Sequence, residues 1–139
     1  MQNPNYGGPP GSAVGKSSIG LDGNVAAAIG YIVGLLALVL IFIEKDNRFV
    51  RFHAIQSVLY AALATVTFVV LSIVLTIISI ALAFASETLA AISGLLWTLL
   101  FLLLVLAHLG CLIYAAVKSY QGQTFKLPIV GSLAEKFTK

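Results

Sequence analysis

Long charge-free runs are the feature that most restricts how this chain can fold. Residues 24–43, 54–86 and 88–117 contain no Asp, Glu, Lys or Arg. An α-helix needs about 20 apolar residues to cross a hydrocarbon core about 30 Å thick, so each run is long enough to span a membrane. Only 9% of the residues are charged, against roughly 25% in an ordinary soluble domain. The sequence therefore predicts an all-α integral membrane protein.

Three transmembrane helices are predicted, with spans at about 24–43, 50–85 and 89–118. The last two runs are too long for one perpendicular crossing and too short for two, and a tilt of about 20° absorbs the excess. Residues 67–79, in the middle of the second run, contain no Gly, Pro, Asn or Asp that would mark a turn. We expect the second helix to begin near Arg48, with its first turns in the membrane interface.

The segments that flank this three-helix membrane domain, residues 24–121, differ from each other. Residues 1–23 are rich in Gly, Pro, Asn and Ser and are predicted to be a flexible tail. Residues 122–139 are predicted to form a cytoplasmic interfacial tail with a short amphipathic helix, in which Ser132 and Glu135 make a capping box.

The basic residues predict an orientation. With three spans, the loop at 44–53 and the C-terminus share one side of the membrane, and only Lys16 lies opposite. The positive-inside rule then places the N-terminus outside and the C-terminus in the cytoplasm, in the plasma (inner) membrane. The basic residues on the cytoplasmic side are Lys45, Arg48, Arg51, Lys118, Lys126, Lys136 and Lys139.

Two polar stretches border the spans, "IEKDNRFVRFHAIQS" (43–57) and "KSYQGQTFKLPIVGSLAEK" (118–136). Asp46 or Asn47 can cap the helix that follows. Since both stretches lie on one side of a three-span protein, we expect them to pack together as a basic cytoplasmic platform. The Phe rings of this platform would enter the membrane interface, and its Arg guanidinium groups would contact lipid phosphates. The predicted platform residues are Arg48, Phe49, Arg51, Phe52, His53, Gln56, Tyr120, Lys126 and Pro128.

Polar and small residues within the spans are the other candidates. His108 is an ionisable residue deep in a predicted span, where such residues are candidates for function. His108 could act in a proton relay or contact a ligand. The favoured interpretation is that its neutral imidazole forms a hydrogen bond to a neighbouring helix. Small residues at four-residue spacing are interpreted as internal packing faces rather than a dimer seam. They are Ala26, Gly30 and Gly34 in the first span, and Ala107, Cys111 and Ala115 in the third.

The two polar stretches together resemble those of a widespread family of small prokaryotic membrane proteins of unknown function. That family is similar to the protein-conducting inner-envelope component of the chloroplast import (Tic) translocon, and the resemblance covers about residues 24–136. The chloroplast relatives imply four spans, whereas the run lengths here favour three. Bacterial relatives with zinc-ribbon-like N-terminal tails imply a cytoplasmic N-terminus, whereas the charge count favours an external one.

Catalytic residues are scarce. The sequence offers no paired carboxylates and no nucleophile–base arrangement, and a lone cysteine makes no metal or redox motif. We expect no enzyme activity, cofactor, metal or nucleic acid. The favoured function is a non-catalytic accessory or interaction subunit, whose partners are the lipid bilayer and other membrane proteins or further copies of itself. The alternative is an oligomeric pore for protein translocation, or for small-solute or proton transport that uses His108.

Overall fold

Five α-helices make up most of the structure, a computed structural model that describes residues 14–138. Residues 1–13, which belong to the predicted flexible tail, and Lys139 lie outside the described residues. Between residues 14 and 138 there is no β-strand, and the all-α prediction is confirmed for this part of the chain. The helices are α1 (Gly23–Ile32), α2 (Gly34–Ile43), α3 (Arg48–Ala85), α4 (Glu87–Tyr120) and α5 (Val130–Thr138).

The predicted first span is not a single helix. Helix α1 ends at Ile32, α2 begins at Gly34, and the two ten-residue helices pack against each other. Val33 between them has φ −113° and ψ 87°, outside the helical region. The prediction of one continuous first helix at residues 24–43 is therefore wrong, because these residues form a short helical hairpin. The predicted count of three crossings is not confirmed.

The local sequence "GYIVG" explains why the chain bends there. Glycine and β-branched residues both lower helix propensity, so this stretch resists bending less than its neighbours. The two helices lie close together at Gly30, where an added Cβ atom would lie 3.7 Å from the Cβ of Ala37, an ordinary van der Waals contact that alanine could also make.

Helices α3 and α4 are the two long apolar elements, with 38 and 34 residues. The side-chain oxygen of Asn47 accepts the Val50 N–H at 3.2 Å, so Asn47 caps α3 as predicted. Ser86 alone separates the two helices. Within residues 14–138, α3 and α4 are the helices that are long and apolar enough to cross a membrane. The structure thus has two candidate crossings where the sequence predicted three.

The chain folds as two compact units. We call residues 14–61 and 111–138 the terminal unit, and Ala62–Gly110 the central unit. Helices α3 and α4 run through both units, whereas α1, α2 and α5 belong to the terminal unit alone. The central unit is therefore a pair of antiparallel helices joined at Ser86.

Three apolar clusters form the core of the terminal unit. One packs Leu40 of α2 against Phe49 near the start of α3. Another brings Tyr31 of α1 against Leu127, which precedes α5. The third packs the start of α3 against Ala134 of α5. The helical hairpin and the C-terminal segment therefore both use the first turns of α3 as their support.

Residues 14–22, which we predicted to be flexible, are held against the loop before α3. The Ser18 N–H and hydroxyl donate to the two Glu44 carboxylate oxygens at 2.7 and 2.9 Å. The Asn47 amide donates to the backbone oxygens of Val14 and Lys16 at 2.8 and 3.3 Å. Lys16 consequently lies beside the loop, and the prediction that these two segments occupy opposite sides of the membrane is contradicted by these contacts.

The C-terminal segment begins where α4 stops. Gly122 has φ 73°, the left-handed conformation that glycine adopts at helix ends, and the Gln123 N–H donates to the Lys118 backbone oxygen at 3.0 Å. Helix α5 begins before Ser132, whose hydroxyl bonds backward to the chain, while Glu135 pairs with Lys126 at 2.9 Å. The predicted Ser132/Glu135 capping box is therefore wrong, although the amphipathic helix itself is present.

Candidate functional site

A buried polar network lies at the centre of the terminal unit, among apolar neighbours. The Gln56 amide nitrogen donates to the Tyr31 hydroxyl oxygen at 2.6 Å, and that hydroxyl lies 3.0 Å from Nδ1 of His53. The tautomer of His53 decides whether the Tyr31 hydroxyl donates to the ring nitrogen or accepts from it. His53 and Gln56 are both 0% exposed. Helices α1 and α3 are thereby joined by hydrogen bonds that water cannot reach.

Gln56 extends the network to the C-terminal segment. Its amide nitrogen also donates to the Phe125 backbone oxygen at 3.0 Å, and its amide oxygen accepts the Leu127 N–H at 3.1 Å. One side chain therefore satisfies backbone groups about 70 residues away in the sequence. Breaking such bonds would leave buried polar groups unpaired, at a cost of about 1–3 kcal/mol for each group. Gln56 thus anchors the C-terminal segment to α3 within the terminal unit.

Three aromatic rings surround His53. The ring centroids of Phe49, Phe52 and Tyr31 lie 4.5, 5.1 and 5.8 Å from its own, all edge-on. Its Nε2 atom is buried and makes no hydrogen bond of ordinary geometry, although the Gln123 backbone interacts with the ring. The imidazole is enclosed within the protein and is not available to a ligand from solution.

The predicted platform residues fall into two groups. Phe49, Phe52, His53 and Gln56 are buried inside the terminal unit, so the prediction that the Phe rings enter the membrane interface is wrong. The α1–α2 hairpin and α5 cover that face of α3, which sequence spacing alone could not show. The remaining members are half-buried or exposed at the surface of the terminal unit: Arg48, Arg51, Tyr120, Lys126 and Pro128.

The predicted packing residues also fall into two groups, one buried and one exposed. Ala26, Gly30 and Ala115 are buried, and the Ser57 hydroxyl donates to the Gly30 backbone oxygen at 2.9 Å. These three positions do serve internal packing within the terminal unit. The others are exposed: Gly34, Ala107 and Cys111.

His108 lies in the central unit and is half-buried. Its ring meets Phe68 edge-on at a centroid distance of 6.2 Å, and Phe68 stacks on Phe101 at 6.0 Å. Within residues 14–138, no three His, Cys, Asp or Glu side chains are grouped so as to hold a metal ion. The surroundings of His108 are thus aromatic, and its chemical role stays a prediction.

A groove of about 350 Å³ runs along the central unit between its two helices. Its polar side chains are already bonded within the protein. The Ser72 and Thr76 hydroxyls donate back to their own helix, and the Trp97 indole N–H donates to the Ser79 hydroxyl at 3.0 Å. The groove therefore presents mainly apolar surface, of the kind that acyl chains cover.

Glu44 has a structural role that the sequence analysis did not predict. It is buried, and besides the two bonds from Ser18 its carboxylate accepts the Asn47 N–H at 3.1 Å. A charged side chain is buried only where bonds of this kind compensate its lost hydration. The signal in the sequence was the position of Glu44 immediately after an apolar run, at the start of the charged stretch.

Removal of this carboxylate should release the segment before α1. We expect Glu44→Ala to leave the Ser18 and Asn47 N–H groups unpaired and to weaken the local structure by about 2–3 kcal/mol. Trypsin cleavage after Lys16 in the detergent-solubilised protein should accelerate by at least about tenfold. Asp46→Ala, at an exposed position of the same loop, is the matched control. Equal cleavage rates in the two variants would show that Glu44 does not hold the segment.

The charged residues are distributed very unevenly between the two units. Within residues 14–138 all the Lys and Arg side chains belong to the terminal unit, whereas the central unit contains Glu87 as its one Asp, Glu, Lys or Arg residue. Most of the basic side chains are exposed. They are Lys16, Lys45, Arg48, Lys126 and Lys136, with Arg51 and Lys118 half-buried.

Comparison with known proteins supports the membrane location. The model of the MamF/MmsF family, described as the magnetosome magnetite crystal formation protein family, matches residues 20–134. A UPF0132 membrane protein of Methanocaldococcus jannaschii is 35% identical over 128 residues, covering 91% of this chain and 97% of the relative. A UPF0132 membrane protein of Archaeoglobus fulgidus is 33% identical over 117 residues, covering 81% and 92%. No solved structure matches the chain.

Proposed function

This chain belongs to the MamF/MmsF magnetosome magnetite crystal formation protein family, and we propose that it is a non-catalytic, two-span accessory protein with a folded cytoplasmic unit. The observation behind this proposal is the uneven charge. All the described basic residues belong to the terminal unit, and the central unit has almost no charge.

The length of the central unit fits one membrane crossing by each helix. Residues 62–85 and residues 87–110 are each about 36 Å long as helix, which matches a hydrocarbon core of about 30 Å with a moderate tilt. Their side chains are largely exposed, as lipid-facing side chains are in an isolated protein. In this arrangement the parts of α3 and α4 that belong to the terminal unit lie outside the hydrocarbon.

The positive-inside rule then assigns the side. A two-span arrangement places both ends of the described chain with the loop at 44–47, so every described Lys and Arg lies on one face and Glu87 lies on the other. Loops rich in Lys and Arg stay in the cytoplasm. We therefore assign the terminal unit to the cytoplasmic face of the plasma (inner) membrane, with the N-terminus also cytoplasmic.

An accessory role is supported by the surface of the terminal unit. Its polar network is buried, whereas its exposed charged groups are five basic and three acidic residues. The excess of basic groups can contact acidic lipid headgroups or an acidic face of a membrane partner. The family description refers to magnetite crystal formation. We assign the contribution of this chain to the membrane rather than to the mineral, because a basic surface repels metal cations. The Tic-like translocation pore and transport through His108 remain alternatives that no specific contact favours.

Cysteine labelling in intact cells tests the two-span arrangement. In a Cys111→Ser background, which removes the single native cysteine, three single variants are compared: Lys16→Cys, Glu87→Cys and Lys136→Cys. A membrane-impermeant maleimide should label Glu87→Cys in intact cells, and the other two only after permeabilisation. The reason is that residues 16 and 136 both lie in the cytoplasmic unit.

Each other pattern would contradict a different part of the proposal. Labelling of Lys16→Cys without Lys136→Cys would mean an odd number of crossings, as in the three-span prediction. Labelling of both without Glu87→Cys would keep two spans and reverse the orientation. Permeabilised cells serve as the control that all three sites can react.

A further inference from the structure

Lys118, near the end of α4, is held against an aromatic ring. Its Nζ atom lies 5.5 Å from the centroid of the Tyr114 ring, one turn earlier in the same helix. Phe125, from the C-terminal segment, packs edge-on against this ring at a centroid distance of 5.0 Å. A cation at such a distance is attracted to the face of the ring. The three side chains form one group in the terminal unit, which we call the Lys118 cluster.

The positive charge of the Lys118 cluster is not neutralised by a carboxylate of the described chain. The ion pairs within residues 14–138 join Lys16 to Asp22 and Lys126 to Glu135, and Lys118 takes part in neither. An ammonium group carries three N–H donors, and an anionic oxygen is the acceptor that binds them most strongly. Lys118 is therefore available to an external anion.

The direction of the Lys118 side chain determines which anion it reaches. A long side chain in an α-helix points back toward the N-terminus, and on α4 this is the direction of Gly110, the last residue of the central unit. Residue 114 lies about 6 Å beyond Gly110 along the helix. The headgroup layer outside a hydrocarbon core is about 5–8 Å thick. In the two-span arrangement, the Tyr114 ring and the ammonium group beside it therefore lie at the depth of lipid headgroups.

The basic residues at the start of α3 are too far away for the same contact. Arg48 lies about 21 Å from residue 62 along the helix, and Lys45 precedes it in the loop. On α3 the N-terminal direction leads away from the central unit, so long side chains there point away from the hydrocarbon. The two sets of basic residues consequently face different surroundings.

We propose that the Lys118 cluster binds the phosphate group of an acidic phospholipid in the leaflet next to the terminal unit. Lys118 holds the phosphate, and the Tyr114 and Phe125 rings lie at the membrane interface, where aromatic residues are enriched. Ile113, which is 63% exposed, contacts the upper part of an acyl chain. A zwitterionic lipid binds less well, because its own cationic group competes with Lys118 for the phosphate. This inference deepens the proposed function and rests on its two-span arrangement for the depth of the cluster.

Lipid preference is measured on the full chain reconstituted into vesicles of phosphatidylglycerol and phosphatidylcholine. Tyr114→Trp in a Trp97→Phe background moves the single tryptophan into the cluster, and tryptophan is the ring that attracts cations most strongly. The two lipids are brominated in turn, and the quenching of this tryptophan gives their relative affinity beside it. We expect about a fivefold preference for phosphatidylglycerol, the contribution of one lysine near the membrane surface. Equal quenching by the two lipids would overturn the proposal.

Two matched variants locate the preference within the terminal unit. Lys118→Gln should remove it, whereas Arg48→Gln, which removes the same charge at an exposed position of α3, should retain it. Equal losses in the two variants would mean that the overall charge of the unit attracts the lipid, and would overturn the Lys118 cluster as the site. Excess inorganic phosphate should leave the preference unchanged, since displacement of the lipid by phosphate would indicate an anion site that does not require lipid.

Failure of this inference is distinguishable from failure of the two-span arrangement. If aqueous iodide quenches the Tyr114→Trp reporter and brominated lipids do not, the cluster lies beyond the headgroups, and the lipid site is overturned even where cysteine labelling supports two spans. A preference that depends on Lys118, together with labelling that contradicts two spans, would support the lipid site and overturn the arrangement alone.

Discussion

Gln56→Leu should release the C-terminal segment from the rest of the terminal unit. Leucine has a similar volume but cannot replace the bonds to the Phe125 oxygen, the Leu127 N–H and the Tyr31 hydroxyl. With two backbone groups and one hydroxyl left without this partner in a buried site, we expect the local free energy of unfolding to fall by about 3–6 kcal/mol.

Trypsin cleavage at the Lys126–Leu127 bond measures this loss directly, because the Leu127 N–H of the scissile peptide is itself held by Gln56. A loss of about 3 kcal/mol corresponds to roughly a hundredfold faster cleavage where opening and closing are fast. Gln121→Leu, a half-buried glutamine outside the network, is the matched control and should cleave at nearly the original rate. Rates for Gln56→Leu within about twofold of the original would show that the network does not secure the segment.

The long helices could be predicted because their signals are local. The runs that became α3 and α4 are apolar over their whole lengths, Asn47 offers a side-chain cap, and Gly122 offers the left-handed ending that α4 uses. Each of these signals depends on a few neighbouring residues. They therefore predict the helices and their ends without any knowledge of the tertiary structure.

The hairpin could not be predicted from the same signals. Residues 24–43 have the length and composition of a membrane span, and no proline interrupts them. The small residues Ala26, Gly30 and Gly34 suit a straight packing face as well as they suit a bend. What decides between them is tertiary, since Gly30 is close to Ala37 and is bonded by Ser57 of α3. Length and hydropathy cannot distinguish one continuous helix from two short helices that fold back on each other.

Two members of the polar network, His53 and Gln56, were predicted as platform residues together with Phe49 and Phe52, but no buried network was predicted. The structure buries all four side chains in the first turns of α3. The spacing could not show that α1 and α5 cover these side chains, so residues predicted to meet lipid are buried in protein. Tyr31, which contributes the central hydroxyl, looked like one more apolar residue of a span.

A single glycine in α5 tests how tightly the same segment is packed. Gly131→Ala adds one methyl group in a helix, where alanine would ordinarily improve stability by about 1 kcal/mol. Here the new Cβ would lie 2.7 Å from the Lys126 Cβ, 2.8 Å from the Lys126 Cα and 2.9 Å from the Gln56 amide oxygen. Two of these atoms are fixed, one by the backbone and one by its bond to the Leu127 N–H. We expect overpacking to prevail, with a net loss of about 1–3 kcal/mol.

The measurement is again cleavage at Lys126–Leu127, with Gly34→Ala as the control, because a Cβ at Gly34 meets nothing within 4 Å. Gly131→Ala should accelerate cleavage by about ten- to a hundredfold, and Gly34→Ala should not. The double variant with Gln56→Leu separates two causes. If the methyl group acts by displacing Gln56, both substitutions remove one shared contact, and their effects should sum to clearly more than that of the double variant. Strict additivity would mean that Gly131 is required by the Lys126 backbone alone, and that the network and the α5 packing stabilise the terminal unit independently.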